Sequence, residues 1–403
     1  MRILMLAHRI PYPPETGDKV RAFHIARHLA RRHEVTLAFL VDDPNDLPGV
    51  EVLTAEIGQI EFAILWKPWG LVKGIASLAS GGPATLPYFG SRKLRRRITR
   101  RLAGAAYDLI YVSSSSMAPY AATHTRIPVV MDFVDVDSDK WTQYSEKSRP
   151  PLAWLYRTEG MRLRRYEGQV ARWARLCILA TVAEEALLKS FAPWAATAVI
   201  PNGVDLARFV PVAERASQPT LIFTGAMDYF PNVDAVTHFC RDIYPAVRRV
   251  VPAARFLIVG LNPAPGVLRL AELPGVTVTG AVLDVRPYYQ QAAVCVAPLR
   301  IARGVQNKVL QAMAMGLPVV ATRRASEGID ARHDHEIVVE DDAEAFGLRV
   351  IDLLRSPGKR QTLGERGRAF VEQHHSWRAC LARLDGLVRS VAGDNSHLRI
   401  GQA

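Results

Sequence analysis

The sequence predicts an α/β protein made of two Rossmann-like domains that face each other across a cleft. The chain has 403 residues, which is too long for one ordinary hydrophobic core. Short β-branched runs alternate with longer amphipathic segments throughout, as in parallel sheets with helices on both faces. This alternation occurs twice, in two halves that are separated by a stretch without periodicity.

Six runs in each half have the composition of buried strands. In the first half they are RILMLAH, EVTLAFLV, YDLIYVSS, PVVMDFVD, LCILAT and TAVIP. In the second half they are TLIFTG, ARFLIVG, VTVTG, AVCVAP, PVVAT and EIVVE. Parallel strands of this kind end at the cleft, so the loops that leave them are expected to carry function.

The same pattern sets the predicted domain boundaries. Residues 1–205 form an N-terminal, acceptor-side domain, and the segment LARFVPVAERASQP at 206–219 is a linker. Residues 220–375 form the second domain. The last segment, 376–403, adds a helix that could dock back across the cleft, followed by a tail.

Composition limits the possible partners. Lys and Arg number 51 against 39 Asp and Glu, which gives a formal charge of +12. This charge favours an anionic partner, which could be nucleic acid, an acidic membrane surface or a phosphorylated small molecule. The four cysteines form neither a CxxC pair nor a Cys/His cluster, and no apolar segment suits a signal peptide or a transmembrane helix. We therefore expect a cytoplasmic protein with buried free thiols.

The stretch APLRIARGVQNKVLQAMAMGLPVVAT predicts a buried strand, a turn and a helix. Gly304 precedes the helix, where outward N–H groups and the helix dipole suit a phosphate, and a residue without Cβ lets the backbone approach it. Asn307 and Gln311 are four residues apart and share one face, while Lys308 lies on the adjacent ridge. The alternative interpretation is a solvated helix face.

Three other strand ends carry candidate residues. After the first strand, a Pro-rich loop turns at Gly17, and Asp18 can N-cap the next helix. This is either an ordinary capped connection or a second helix N-terminus directed into the cleft. His8 ends the first strand and is the one histidine that we single out. The turns at Asn202–Gly203 and at Gly225 also lie at strand ends.

The ordered blocks PYPPETGD, PNGVD, GAMDYFPN and GVQNKVLQAMAMGLPVVAT resemble the GT-B glycosyltransferases of family 4. More narrowly, MDFVDVDSDKW together with RGVQNKVLQAMAMG is similar to the glycosyltransferases associated with exosortase and PEP-CTERM exopolysaccharide systems. The likeness extends over nearly the whole chain, and its blocks occur in the expected order.

The resemblance implies retaining transfer of a hexose from a nucleotide-diphosphate sugar, with no cofactor and no bound metal. The donor would lie on the second domain, with the diphosphate at Gly304, the ribose at Gln311, and Gly17 closing the site from the first domain. The donor-binding set is Gly17, Asn202, Gly203, Gly225, Arg300, Gly304, Val305, Gln306, Asn307 and Gln311. The catalytic set is His8, Asp18, Arg303 and Lys308, and the acceptor-side set is Arg21, Asp132 and Asp135.

Two features depart from the family pattern. The family usually has two Glu residues eight apart at this helix, where the chain has Arg303 and Gln311. The usual Arg and Lys after the first strand of the second domain are missing, because GAMDYFPN contains neither. Arg300, Arg303 and Lys308 are therefore the nearest cations that could offset the charge of the diphosphate.

Two further signals were weighed against the same scheme. DVDSDKWTQYSE nearly fits a calcium loop, but Lys140 replaces the turn glycine, so we expect a polar acceptor-side loop and no metal site. The basic run 91–102 could bind nucleic acid. It lacks interleaved aromatic residues, and Trp66 and Trp69 precede it, so an anionic membrane surface is favoured.

The sequence thus predicts an enzyme peripheral to the inner membrane that adds a sugar to a lipid-linked glycan in exopolysaccharide biosynthesis, with no nucleic acid as partner. Two alternatives remain at this point. A nucleotide-sugar epimerase shares the fold and the donor but needs positioned acid/base carboxylates. The second alternative is a non-catalytic module that binds a nucleotide sugar or a membrane, because the usual Glu pair is missing.

Overall fold

The computed structural model describes residues 1–14, 16–122, 126–211, 218–302 and 304–393. It divides into two compact units. The first contains Met1–Ile200 and the described residues from Leu381 on, and the second contains Pro201–Cys380. Each unit is a parallel sheet with helices packed around it, as the alternation of strand-like and amphipathic segments predicts.

The first unit has a seven-stranded sheet in the order β3-β2-β1-β4-β5-β6-β7, with all pairs parallel. Its strands are β1 (Arg2–Ala7), β2 (Glu34–Val41), β3 (Gln59–Ile64), β4 (Leu109–Ser113), β5 (Val129–Val134), β6 (Leu176–Leu179) and β7 (Thr197–Val199). In β1, Ile3 pairs with Val35 on one side and Leu109 on the other. The chain changes direction across the sheet between β1 and β4, and ligands bind at such switch points.

The helices of the first unit are amphipathic and cover both faces of this sheet. They are α1 (Gly17–Ala30), α2 (Gly49–Ile57), α3 (Lys67–Ala79), α4 (Thr85–Tyr88), α5 (Arg92–Gly104), α6 (Ala118–Ala121), α7 (Asp137–Lys147), α8 (Leu152–Trp173) and α9 (Val182–Phe191). Short 3-10 segments cover Pro44–Asp46 and Ser115–Met117.

The second unit has a six-stranded parallel sheet in the order β10-β9-β8-β11-β12-β13. Its strands are β8 (Thr220–Thr224), β9 (Arg255–Val259), β10 (Val276–Val278), β11 (Val294–Ala297), β12 (Val319–Ala321) and β13 (Val338–Val339). Its helices are α10 (Phe230–His238), α11 (Tyr244–Val250), α12 (Pro265–Leu268), α13 (Arg286–Gln291), α14 (Asn307–Ala314), α15 (Arg323–Ser326), α16 (Ala343–Arg355) and α17 (Pro357–His374). A π-helical segment covers Phe239–Ile243, and a 3-10 segment covers Arg269–Glu272.

All twelve runs that the sequence analysis identified form strands, but β3 was not among them. β3 lies at the edge of its sheet, and of its residues only Ala63 is buried. An edge strand with polar residues such as Glu61 lacks the continuous apolar run of a central parallel strand. Its pattern is therefore the weakest of the thirteen.

The unit boundaries differ from the predicted ones because of specific contacts. Residues that follow Ile200 belong to the second unit, where the N–H of Val204 donates to the carbonyl of His375 over 2.7 Å. Arg368 of α17 likewise donates to the carbonyl of Phe209 over 2.6 Å. The predicted linker at 206–219 is only partly described, since 212–217 lie outside the described residues.

The C-terminal part of the chain is divided between the units. Helix α18 (Trp377–Leu381) ends the second unit, and α19 (Leu384–Gly393) belongs to the first. Asp385 of α19 pairs with His28 over 3.0 Å and also with Arg32, both near the end of α1. The rest of the predicted tail, 394–403, lies outside the described residues.

Candidate functional site

In the second unit, the carboxyl ends of the neighbouring strands β9, β8 and β11 lead into loops that contain Gly260, Gly225 and Gly304. A Cβ on Gly260 would lie 1.6 Å from the carbonyl oxygen of Gly225, so no side chain fits there. Gly304 has a φ of 59°, a left-handed conformation that glycine adopts at little cost. The Gly260 and Gly225 loops are therefore closely packed against each other, and all three loops follow strands at the edge where parallel sheets bind ligands.

Helix α14 starts at this edge. Gln306 is its N-cap residue, and the first N–H groups of any α-helix lack partners within the helix. Val305 is buried in the core of the unit, whereas Gln306 and Asn307 are half-buried. The Oδ1 atom of Asn307 is buried and has no hydrogen-bond partner among the residues that the structure describes. An unpaired acceptor beside a helix N-terminus is a feature that a bound ligand could satisfy.

Lys308 points from α14 into the interior. Its Nζ donates to Oδ1 of Asn232 over 2.6 Å and lies 4.4 Å from the ring centroid of Phe223. Burial lowers the pKa of Lys308 to about 7, against which the neighbouring Cys295 acts only weakly. Within the described part of the chain, no carboxylate pairs with this amine. When it is protonated, this amine is thus a cation whose counter-charge the described residues do not supply.

Gln311 lies one turn further along α14. Its Oε1 accepts from the hydroxyl of Tyr289 over 3.3 Å, and that hydroxyl is 2.7 Å from Oγ1 of Thr224. Tyr289 is buried, so the amide oxygen of Gln311 faces the interior and its NH2 group is left for other partners. A ribose beside Gln311 would therefore meet a donor instead of the acceptor that the usual Glu supplies.

The other predicted cations differ from Lys308. Arg300 forms a two-contact ion pair with Asp234 of α10, in which its Nε is 3.0 Å from Oδ2. Its charge is therefore already compensated, contrary to the expectation that it is available to a diphosphate. Arg303, the remaining predicted cation, lies outside the described residues.

The Asn202–Gly203 turn is packed inside the second unit. Asn202 is buried, and its carbonyl oxygen is 3.2 Å from Nδ1 of His375. A Cβ on Gly203 would lie 2.9 Å from Trp377, so glycine is required for this packing. Burial lowers the pKa of His375. The contacts explain the sequence of the turn by packing, and its predicted role in donor binding stays a prediction.

In the first unit, His8, Asp18 and Arg9 form a charged cluster at the carboxyl end of β1. The Nε2 of His8 is 3.1 Å from Oδ2 of Asp18, and Oγ1 of Thr16 donates to Oδ1 over 2.6 Å. Burial alone would raise the pKa of Asp18, but the hydrogen bond and charge of His8, with Arg9 and Thr16, hold it well below its ordinary range.

The start of α1 corrects one detail of the sequence prediction. Thr16, and not Asp18, is the N-cap residue, and Gly17 is the exposed first residue of the helix. Asp18 lies in the first turn, where the positive end of the helix dipole favours a carboxylate. The two predicted catalytic residues His8 and Asp18 are therefore brought together, although along the chain they are ten residues apart.

Arg21 and Asp132 are both fully buried, at 0% exposure. Arg21 Nε donates to Asp132 Oδ2 over 2.9 Å, and its Nη1 donates to the carbonyl of Ile200 over 2.8 Å. The hydroxyl of Tyr111 donates to the same carboxylate over 2.7 Å. This corrects the expectation that the two residues contact an acceptor, because each is fully buried and its charge is already compensated by the other.

The segment after β5 is a helix, not the polar loop that the sequence suggested. Asp135 is half-buried just before α7, and Val134 has a φ of 67°, a strained value for a β-branched residue. Within α7, the N–H of Ser138 donates to Glu167 of α8. Burial is the main cause that raises the pKa of the Glu167 carboxyl to about 8, and the negative charge of Asp137 adds to it. Among the described residues, no group of three His, Cys, Asp or Glu side chains is placed to hold a metal ion.

Helix α3 has a reversed amphipathic pattern. Gly70 and Gly74 face the protein, where a Cβ would lie 3.0 Å from the carbonyl of Tyr88 and 3.2 Å from that of Ala84. The large apolar residues of the segment are exposed instead, with Trp66 at 67%; the others are Trp69, Leu71, Val72 and Ile75. Exposed apolar surface of this extent indicates an interaction site.

The basic helix α5 contains two kinds of cation. Arg97 donates to the carbonyl of Phe62 over 2.7 Å, and Arg101 donates to Glu61 over the same distance. The cations that are exposed and have no partner among the described residues are Arg92, Lys93, Arg96 and Arg100. Three of these repeat every four residues and so form one row on the helix. No helix in the described part of the chain is both long and apolar enough to cross a bilayer.

Sequence reasoning missed Asn232, Tyr289 and Thr224, which hold Lys308 and Gln311 in place. Asn232 lies 76 residues from Lys308 along the chain, and Tyr289 lies 65 residues from Thr224. No local pattern links such positions, although the block GAMDYFPN contains Asn232. Only the pairing of β8 with β11 brings them together.

Comparison with known proteins agrees with this architecture. A family described as Glycosyltransferase Family 4 matches residues 17–208, and one described as Glycosyl transferases group 1 matches residues 218–356. A GDP-mannose-dependent monoacylated alpha-(1-6)-phosphatidylinositol monomannoside mannosyltransferase from Corynebacterium glutamicum is 28% identical over 211 residues. This match covers 47% of the chain and 55% of the relative, so the chain matches only about half of that protein.

Solved structures resemble the whole chain at low sequence identity. The sucrose-phosphate synthase from Thermosynechococcus elongatus has a TM-score of 0.73 at 19% identity, and the match covers 98% of this chain and 100% of that one. Anabaena HepE in complex with UDP and glucose has a TM-score of 0.69 at 16% identity, with 97% and 100% covered. At these identities the likeness shows the fold alone. With both family matches and this fold, the chain belongs to the family 4 glycosyltransferases of the GT-B fold.

Proposed function

We propose that the protein is a retaining glycosyltransferase that uses a nucleotide-diphosphate sugar as donor and a lipid-linked glycan as acceptor. In the reaction, the bond between the sugar C1 and the diphosphate oxygen breaks, and a bond between C1 and an acceptor oxygen forms. The nucleoside diphosphate leaves, and its departing oxygen takes up the proton that the acceptor hydroxyl loses. The protein is not expected to need a metal ion or a cofactor.

The observation that carries the donor assignment is the environment of Lys308. Lys308 is the second residue of α14 and is buried, and its amine donates to Asn232, whose amide lies against Gly225. Within the described residues the amine lacks a carboxylate partner. A diphosphate would supply the missing negative charge, and the helix N-terminus would stabilise the same group. The unpaired Oδ1 of Asn307 could in addition accept from a donor hydroxyl.

The lipid-linked acceptor is supported by two separate observations. The matched mannosyltransferase is named for a phosphatidylinositol-based substrate. In the first unit, α3 exposes tryptophans and aliphatic residues, while α5 carries a row of unpaired cations. Exposed aromatic residues and unpaired cations within one unit suit the interface of an anionic membrane. We therefore propose a peripheral location at the cytoplasmic face of the inner membrane.

The role in exopolysaccharide assembly, and the association with an exosortase and PEP-CTERM system, rest on sequence resemblance. Inactivation of the gene in its host should reduce secreted polysaccharide without loss of viability on rich medium. Unchanged polysaccharide in the mutant would contradict this part of the proposal.

The test of the donor assignment is incubation of the purified protein with radiolabelled UDP-glucose and GDP-mannose. Each is supplied with and without a polyprenyl-diphosphate-linked sugar, and the products are separated by chromatography. Transfer to the lipid, with slow hydrolysis in its absence, supports the proposal. An isomerised sugar would identify an epimerase, and binding without turnover would identify a non-catalytic module.

The membrane proposal is tested with vesicles that contain phosphatidylglycerol. Replacing Arg92, Arg96 and Arg100 with Gln should weaken binding roughly 100-fold at low salt, since each cation near the surface contributes about 1 kcal/mol. A matched control with the same charge change replaces the exposed Arg249, Arg255 and Arg269 of the second unit. Equal binding of both variants would exclude α5 from the membrane contact.

The apolar surface is tested with the same vesicles by the double substitution Trp66→Ser and Trp69→Ser. The two side chains are exposed, so their removal should leave the thermal unfolding midpoint unchanged while binding falls. Unlike the loss in the α5 variant, this loss should persist in high salt, because it is not electrostatic. Retained binding at high salt would exclude α3.

A further inference from the structure

Asn232 is buried near the start of α10 and uses both ends of its side-chain amide. Its Nδ2 donates to the carbonyl of Ala226 over 2.8 Å, and its Oδ1 accepts from Nζ of Lys308 over 2.6 Å. The first contact is with the loop that follows β8, and the second is with the helix that follows β11. One side chain therefore joins the loop after β8 to the helix after β11 in the candidate donor site.

The orientation of this amide is determined by its surroundings. The carbonyl of Ala226 can only accept, so it must face the NH2 group, and the amide oxygen must then face Lys308. The amide also lies directly against Gly225, where a Cβ would come within 2.6 Å of Nδ2. The position of the Asn232 amide therefore requires glycine at 225, because a Cβ there would clash with it.

We propose that Asn232 is a positioning residue of the donor site, which holds the Lys308 ammonium and the Gly225–Ala226 turn in the arrangement that receives the donor diphosphate. This inference rests on the proposed function of the site. A neutral amide oxygen directs the amine without neutralising its charge, so the charge remains available to a phosphate. A carboxylate at the same place would pair with the amine and compete with the ligand.

The proposal has a consequence for pH, because burial lowers the pKa of Lys308 to about 7. The groups that face Lys308 do not titrate there. Burial raises the pKa of the Cys295 thiol to about 12, and it raises the pKa of the Tyr289 hydroxyl well above its ordinary value. The charged groups on the neighbouring helices have partners of their own. Asp234 of α10 is paired with Arg300. Arg368 of α17 donates to the carbonyl of Ala314, at the opposite end of α14 from Lys308.

Above about pH 7, the amine of Lys308 is mostly neutral. A ligand that binds the protonated amine must therefore take up one proton as it binds. The affinity is expected to fall as the pH rises, by up to about tenfold per pH unit for one proton. A nucleotide sugar suits this measurement, because both of its phosphates are esterified and carry one constant charge each from pH 6 to 9.

The experiment is isothermal titration of UDP-glucose and GDP-mannose into the full chain between pH 6 and 9. The variants are Asn232→Asp and Asn232→Ala, and Gln361→Ala is the control. Gln361 is exposed on α17, outside the candidate site, and its amide donates to Glu365 over 2.9 Å. Circular dichroism melting curves monitor the fold, and Asn232→Asp is the variant closest in shape to the wild type.

The two variants should change the pH profile in opposite directions. Asn232→Asp should bind about tenfold more weakly at pH 6.5 and become nearly independent of pH, since the carboxylate pairs with the amine and raises its pKa. Asn232→Ala should begin to lose affinity at a lower pH than the wild type, because the ammonium has lost its acceptor. The control should follow the wild-type profile.

Each other outcome counts against a specific statement. If the wild type binds neither nucleotide sugar, the donor assignment and the inference both fail. If the wild type binds but the Asn232 variants keep its profile, the inference fails while the proposed function stands. An equal loss of affinity at every pH would show that Asn232 supports the fold alone, and would also overturn the inference.

Discussion

The carboxyl edges of the two sheets differ in whether their buried charged side chains have partners of opposite charge. In the first unit, the charged groups at this edge form pairs such as His8–Asp18 and Arg21–Asp132. In the second unit, the edge has one exposed pair, Arg300–Asp234, beside its glycine loops, and one buried amine, that of Lys308, without a carboxylate partner among the described residues. A buried pair keeps both of its charges compensated within the fold, whereas an unpaired buried cation costs stability, and such strongly perturbed groups cluster at functional sites.

This difference leads to opposite expectations for the two units. Loss of a paired charge in the first unit should destabilise the protein and leave donor binding intact. Loss of the unpaired charge in the second unit should leave stability intact and weaken donor binding.

Arg21→Met should lower the free energy of unfolding by about 3–5 kcal/mol, because it leaves the buried Asp132 carboxylate without its partner. The double variant Arg21→Met, Asp132→Leu should recover most of this loss. Urea unfolding monitored by circular dichroism measures both. A double variant as unstable as the single one would show that the remaining partners, and not the ion pair, dominate the effect.

Lys308→Met should weaken the binding of UDP-glucose or GDP-mannose roughly 10- to 100-fold, as expected for a hydrogen bond to a charged group. The thermal unfolding midpoint should change little, because the gain from replacing a buried amine by an apolar side chain offsets the loss of its hydrogen bond to Asn232. Arg300→Gln is the matched control and should change affinity less than about threefold, since its exposed pair with Asp234 already compensates it. Unchanged affinity of Lys308→Met would remove the lysine from the donor site.

Asp18→Asn should lower the free energy of unfolding at pH 7 by roughly 1–2 kcal/mol, as expected for charge-assisted hydrogen bonds. The pKa of Asp18 is held below its ordinary value in the folded state. The stability that it contributes is therefore present above about pH 4 and is lost as the pH falls further. The difference between variant and wild type should shrink accordingly in unfolding curves measured from pH 6 to 3. Asp352→Asn, which removes an exposed pair with Lys359, is the control and should cost less than about 1 kcal/mol.

Gln311→Glu should bind the donor nucleotide several-fold more tightly with transfer retained, and Gln311→Leu should bind it correspondingly more weakly. A carboxylate has one oxygen for the hydroxyl of Tyr289 and a second for the ribose, whereas the amide oxygen is already used by Tyr289. The expected difference is about 1 kcal/mol, measured by calorimetry. If neither substitution changes the affinity, the ribose is not held at Gln311.

Much of the candidate site could be located from the sequence. Which of the predicted residues are buried, and which are paired with an opposite charge, could not be predicted. The glycine at 304 and the polar residues of α14 are adjacent along the chain, so a local pattern is sufficient to identify them. The pairing of Arg300 with Asp234 depends on contacts 66 residues apart, and the burial of Arg21 depends on Asp132, 111 residues away. Consequently Arg300 was expected to be available and Arg21 to be accessible, and the structure corrects both expectations.

The sequence by itself determined the fold class, twelve of the thirteen strands and the order of the two units, because hydrophobic periodicity and strand composition are local properties. It also determined the position of α14 after β11. Only the tertiary structure decided which charges are neutralised, which helix face of α3 is exposed, and which neutral side chain directs Lys308. Those properties depend on burial and on partners from distant segments, and burial changes both the pKa of an amine and the availability of a hydrogen-bonding atom.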